Sequence, residues 1–144
     1  MARVSTYLNF PGTTEAAFNF YKKAFGGEFQ GVYQRFGDLP PAPGQPEMSE
    51  AIKRMVLHVE LPILGGHVLM GTDAPAELGF QLTHGNNVSI NLEPDSREEA
   101  DKLFLALGEG GVIEQEMQDM FWGDYYGHLI DPFGIRWMIN VRTK

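Results

Sequence analysis

Cysteine is absent from this 144-residue sequence. That excludes a disulfide framework and removes thiolate as a metal ligand or nucleophile. Positive charge is scarce: 11 Lys and Arg against 19 Asp and Glu give a net charge of −8. An acidic surface repels phosphate backbones and anionic headgroups. The adjacent basic pairs, Lys22-Lys23 and Lys53-Arg54, read as solvated edges of elements. No nucleic-acid partner is expected. No apolar run approaches the length that crosses a bilayer, so no membrane partner is expected either. Met1-Ala2-Arg3-Val4-Ser5-Thr6 lacks the apolar core of a signal peptide, and the expected location is cytoplasmic.

Two catalytic signatures are also missing. Gly108-Glu109-Gly110-Gly111 follows a helical pattern instead of preceding one, so it stops a helix and does not cradle a phosphate. Without a strand–glycine-loop–helix cradle, a nucleotide-like methyl donor has no expected seat. No serine stands in a nucleophile-elbow context.

What is present is a repeat. Val4 to Phe10 reads as a strand, Pro11-Gly12 breaks it, and Thr13 or Thr14 is placed to cap a helix carrying Phe18, Tyr21, Ala24 and Phe25. Gly26-Gly27 stops that helix. The order returns later: a strand over Asn87 to Leu92, a break at Pro94, a cap at Asp95 or Ser96, and a helix with Ala100, Leu103, Ala106 and Leu107. Asn9 and Asn91, Tyr21 and Leu103, and Gly26 and Gly108 are each 82 residues apart. The turn Leu61-Pro62-Ile63-Leu64-Gly65-Gly66 matches Leu129-Ile130-Asp131-Pro132-Phe133-Gly134 at an offset of 68. The difference of 82 and 68, 14 residues, is absorbed by a proline-rich loop over 37–50, a candidate lid ending near Met48.

The chain therefore reads as an α+β protein, one domain over 1–144 with modules 1–72 and 86–144 joined by a linker over 73–85. Each module runs strand, helix, strand, strand, strand. The first uses 3–10, 14–26, 28–36, 52–61 and 67–72; the second uses 86–92, 95–108, 111–118, 121–130 and 135–141.

Alternation divides the strand faces. Val4, Thr6, Leu8 and Phe10 oppose Ser5, Tyr7 and Asn9. Val88, Ile90 and Leu92 oppose Asn87, Ser89 and Asn91. Met55, Leu57, Val59 and Leu61 oppose Arg54, Val56, His58 and Glu60. Ile135, Trp137, Ile139 and Val141 oppose Arg136, Met138 and Asn140. The first set in each case suits packing on a helix. The second mixes polar and soft side chains, which suits a concave small-molecule cup better than a solvated sheet.

Tyr7-Leu8-Asn9-Phe10, Phe36-Gly37-Asp38, Leu69-Met70-Gly71-Thr72-Asp73-Ala74, Phe121-Trp122-Gly123-Asp124 and Asp131 to Asn140 run nearly the whole chain. On these the sequence resembles the PhnB-like family of the vicinal oxygen chelate (glyoxalase/bleomycin resistance/dioxygenase) superfamily. The resemblance implies two βαβββ modules forming a cupped mixed β-sheet, and commonly a homodimer. It also implies where metal-using members hold a divalent ion, with His and Glu on the first and last strands of each module. Here those places carry Ser5 and Met70, and Asn87 and Met138. Such a set does not suit zinc or a hard cation.

The function expected is binding of an unidentified small organic molecule without cofactor or metal. Its candidate residues are Tyr7, Asn9, His58, Glu60, Met70, Asn91, Trp122, Tyr126, His128 and Met138. The alternative is a lyase, isomerase or dioxygenase with a divalent metal relocated to His58, Glu60 and either His128 or His67. A dimeric interaction module without ligand is a third reading. Trp122, Tyr125 and Tyr126 are either an aromatic wall for the ligand or core. Asp73 is expected to cap the linker, and Asp131 to accept backbone hydrogen bonds within its own turn.

Overall fold

A computed structural model describes residues 2–40 and 43–142; Pro41 and Ala42, inside the expected loop, lie outside the described residues. The chain divides into two compact units, residues 1–22 with 26–82 and residues 23–25 with 83–144. The first contains β1 (Thr6–Phe10), α1 (Thr14–Phe25) except its last three residues, β2 (Gln34–Arg35), α2 (Glu50–Arg54), β3 (Val56–Pro62) and β4 (Val68–Asp73). The second contains β5 (Ile90–Leu92), α3 (Arg97–Gly108), β6 (Val112–Asp119), β7 (Tyr125–Ile130) and β8 (Arg136–Val141). Each builds a four-stranded mixed sheet, ordered β1-β4-β3-β2 and β5-β8-β7-β6. In each, the first strand runs parallel to the last and the other neighbours are antiparallel. This is the α+β fold of two βαβββ modules.

The 68-residue offset survives pair by pair in the central hairpins. Leu61 faces Leu69 and Val59 faces Gly71; Leu129 faces Trp137 and Gly127 faces Ile139. The parallel pairs break the correspondence. Leu8 faces Gly71, and the offsets of 82 and 68 carry that pair to Ile90 and Ile139. Ile90 instead faces Trp137, two residues short. A slip of two leaves every side chain on its own face, so alternation cannot detect it.

The helices pack on the expected faces. Leu8, Phe10, Val59, Leu61 and Leu69 are buried with Ala17, Phe18 and Tyr21 of α1. Leu92, Leu129, Trp137 and Ile139 are buried with Ala100, Leu103, Phe104 and Leu107 of α3. Size is exchanged between helix and strand. Gly71 is needed because a Cβ there would stand 2.4 Å from the Phe18 ring. The offsets carry Phe18 to Ala100 and Gly71 to Ile139, both fully buried. One module is large on the helix and small on the strand; the other reverses this.

Helix capping differs as well. Ser96 caps α3 locally, accepting from Glu99 N, and Glu99 Oε1 accepts from Asp95 N. Thr13, at the cap position of α1, makes no side-chain cap. Asp73, at the end of β4, replaces it. One carboxylate oxygen accepts from Thr14 N at 3.0 Å and Thr14 Oγ1 at 2.6 Å, and the other from Val56 N at 2.9 Å. Asp73 thus joins α1, β3 and β4, and does not cap the linker. Asp131 accepts from Phe133 N, Ile135 N and Trp137 Nε1, closing its turn as expected and reaching into the core.

Several strands are shorter than their sequence pattern. The expected strand over 28–36 keeps only Gln34–Arg35, because Gly31 turns the chain at φ +65, over the Glu60 side chain. Residues 50–54 wind into α2, where Ser49 accepts from Ile52 N, so 52–54 are helical and not part of the strand expected over 52–61. The strand expected from 86 begins at Ile90, and the one expected from 121 begins at Tyr125. Val56 also departs from alternation. It is fully buried, whereas His58 lies on the open face. Arg35 faces Val56 and Gln34 faces His58, so β3 holds an extra residue at Leu57 and bulges there.

Candidate functional site

In the first module, the face of the sheet away from the core carries Tyr7, Asn9, His58, Glu60 and Met70. Register places Tyr7 beside Met70 and Met70 beside Glu60, a row across three strands. His58 Nε2 and Glu60 Oε2 are 2.9 Å apart, and the Tyr7 hydroxyl is 3.2 Å from His58 Nδ1. A carboxylate can only accept, so Nε2 carries the hydrogen, and neutral His58 offers Nδ1 as acceptor to the Tyr7 hydroxyl. Gln30 Nε2 reaches Glu60 Oε1 at 3.4 Å, and Arg3 lies 3.9 Å away.

The electrostatics follow from these contacts. The hydrogen bond from His58 holds the Glu60 carboxyl below its usual range against the opposing effect of burial, and Gln30 and Arg3 assist. Burial raises the Tyr7 phenol, and the Glu60 charge adds to it. The chain Glu60–His58–Tyr7 can therefore hold a hydrogen-bonding ligand, and can relay a proton from a group resting on Tyr7 to His58. Tyr7 remains 49% exposed, so it is accessible to a ligand.

The second module presents Asn91, Tyr126, His128 and Met138 on its corresponding face. Asn91 faces Met138, which faces His128. His128 Nδ1 donates to Glu114 Oε1 at 3.0 Å, leaving Nε2 as acceptor, and Arg136 donates to the same oxygen at 2.8 Å. Burial raises the Tyr126 phenol, with Glu114 adding to the shift.

Three candidates are placed differently from expectation. Trp122 lies on a turn, not on the sheet; it is 53% exposed and packs edge-on against Phe121, 5.0 Å between centroids. The backbone bonds Met120 N to Asp124 O and Gly123 N to Met120 O close that turn, so Trp122 does not share a strand with Tyr125 and Tyr126. His67 Nε2 lies 2.8 Å from Thr6 Oγ1, and Thr6 shares the core-side parity of Leu8, so His67 does not join His58 and Glu60. Asn87 is exposed and precedes β5; Asn91 holds the place opposite Met138. Ser5, by contrast, does meet Met70, with Oγ 3.9 Å from Sδ. Among the described residues, no group of three or more His, Asp or Glu is arranged to hold a metal ion.

Glu114 and Arg136 are functional candidates that sequence reasoning missed as partners. β6 is irregular between Ile113 and Gln115 and again before Gln118, which destroys the alternation that would have assigned Glu114 a face. Alternation puts Arg136 on the open face, but nothing in the spacing joins it to a residue 22 positions earlier.

No helix among the described residues is long and apolar enough to cross a membrane. Curated relatives include YjdN of Escherichia coli, 28% identical over 144 residues, covering 96% of this chain and 94% of YjdN. Among solved structures, protein PA1353 from Pseudomonas aeruginosa superposes with a TM-score of 0.82 at 30% identity, covering both chains completely. A PhnB protein from Bacillus cereus shares the fold, with a TM-score of 0.73 at 24% identity over 98% of this chain and all of the other. The profile of one family matches residues 4–139. The chain belongs to the Glyoxalase/Bleomycin resistance protein/Dioxygenase superfamily.

Proposed function

We propose that the protein binds a small organic molecule on its open sheet faces, without the divalent ion of metal-dependent superfamily members. Tyr7, Asn9, His58, Glu60 and Met70 are the contacts in the first module, with Asn91, Tyr126, His128 and Met138 in the second. The observation that carries this reading is the contact of Ser5 with Met70. These residues stand where the superfamily resemblance puts a histidine and a glutamate. A hydroxyl against a thioether is a poor site for a hard cation, yet a soft, polarisable floor for an organic ligand. Pairing of two copies in the cytoplasm belongs to the same reading.

The test is mass spectrometry of small molecules that co-purify with the native protein, alongside elemental analysis without chelator. The expected result is an organic molecule that is lost in Tyr7→Ala and Met70→Ala. Stoichiometric zinc, manganese or nickel that disappears in His58→Ala would overturn the reading.

A further inference from the structure

The second unit contains an open groove of about 570 Å³ lined by His84, Gly85, Asn86, Ile130, Gly134 and Arg136. None of these residues is in the set proposed above, although Arg136 shares the open face of Met138 and shares Glu114 with His128. Ile130 and Arg136 face each other across β7 and β8, so they share one sheet face. His84 closes the end beside the turn, its Nδ1 3.2 Å from where a Cβ on Gly134 would stand.

We propose that this groove binds a small carboxylate carrying an apolar group. Its lining has hydrogen-bond donors and one cation, and no carboxylate. The nearby acids are already engaged. Glu114 accepts from both Arg136 and His128, and buried Asp131 accepts from two backbone amides and the Trp137 indole. Arg136 gives one nitrogen to Glu114, which holds the guanidinium in place and leaves the rest of its donor fork for a ligand. Its side chain is 21% exposed, so the charge is only partly screened by water. Among the described residues, neither His84 nor Asn86 makes a side-chain hydrogen bond, so the imidazole and amide are available beside the guanidinium. Ile130 supplies an apolar wall. A local anion site thus exists on a protein whose net charge is −8.

The test is an amide-NMR titration of the full-length chain with benzoate, run in parallel with benzamide, its uncharged isostere. Benzoate is expected to saturate in the millimolar range, to shift the amides of Gly85, Asn86 and Gly134, and to weaken as salt rises. Benzamide is expected to do none of these. Arg136→Gln should weaken benzoate about tenfold or more, and His84→Ala, at an exposed position, should weaken it less. Equal responses to the two probes, no saturable response to benzoate, or unchanged affinity in both variants would overturn the proposal. The outcome is independent of whether a molecule co-purifies on the Tyr7–His58 face.

Discussion

The two modules present the same three side-chain types on their open faces, assembled from different places. Tyr7 and His58 have ring centroids 5.8 Å apart at 46°; Tyr126 and His128 have centroids 5.8 Å apart at 41°. Each imidazole meets one glutamate. Yet the offset of 68 carries His58 to Tyr126 and Glu60 to His128, so the two clusters stand on non-corresponding positions. They also hold the imidazole by opposite nitrogens, Nε2 in the first and Nδ1 in the second. The repeated backbone supplies a platform, and each platform carries its side chains at different positions. Arg136 sharpens the contrast: it shares Glu114 with His128 at 2.8 Å, whereas the arginine beside Glu60, Arg3, lies 3.9 Å away.

The strongest way to break the comparison is through the exchanged sizes in the core. Phe18→Ala should cost about 3–5 kcal/mol in chemical denaturation, because it empties the space above Gly71. Adding Gly71→Ile to Phe18→Ala should recover part of that loss, while Gly71→Ile alone should destabilise. Additive effects would mean that the two modules do not exchange size in this way.

A smaller effect should separate the helix caps. Asp73→Ala leaves Thr14 N and Val56 N without their buried acceptor and should cost about 3 kcal/mol. Ser96→Ala removes one exposed local cap and should cost about 1 kcal/mol. Equal losses by urea denaturation would refute the distinction between a long-range and a local cap.

Glu60→Gln should have a smaller effect still, and one that depends on pH. The folded state holds Glu60 below its ordinary value, so its stabilisation is complete above the unfolded carboxyl pKa of about 4.3 and is lost as pH falls through the folded value. Melting curves of wild type and variant should therefore differ at neutral pH and converge in acid. Divergence in acid would reverse the sign and sink the account.

The least perturbing test is long-range 15N–1H NMR of the histidines at a pH where they are neutral. His58 should carry its hydrogen on Nε2 and His128 on Nδ1. A shared tautomer would erase the difference between the two faces.

The first-module cluster was largely legible. Tyr7, His58 and Glu60 sit at positions whose alternation is regular or whose bulge leaves His58 on the open side. Trp122 was not, because four residues of turn over 121–124 lie inside what reads as a continuous aromatic strand. Glu114 was hidden by the irregular edge strand, and the groove at His84 comes from a segment without periodicity.

By itself the sequence determined the repeat, the 68-residue hairpin correspondence and the parity of most strand positions, since these depend on local breakers and on a side-chain period of two. The Asp131 turn belongs here too, as its backbone partners lie within four residues. Tertiary structure alone decided the two-residue slip of β5 against β8, the burial of Val56 and the capping of α1 by Asp73. An even slip preserves every face, a bulge inverts it without a change of composition, and a cap 59 residues away from its helix leaves no mark in local spacing.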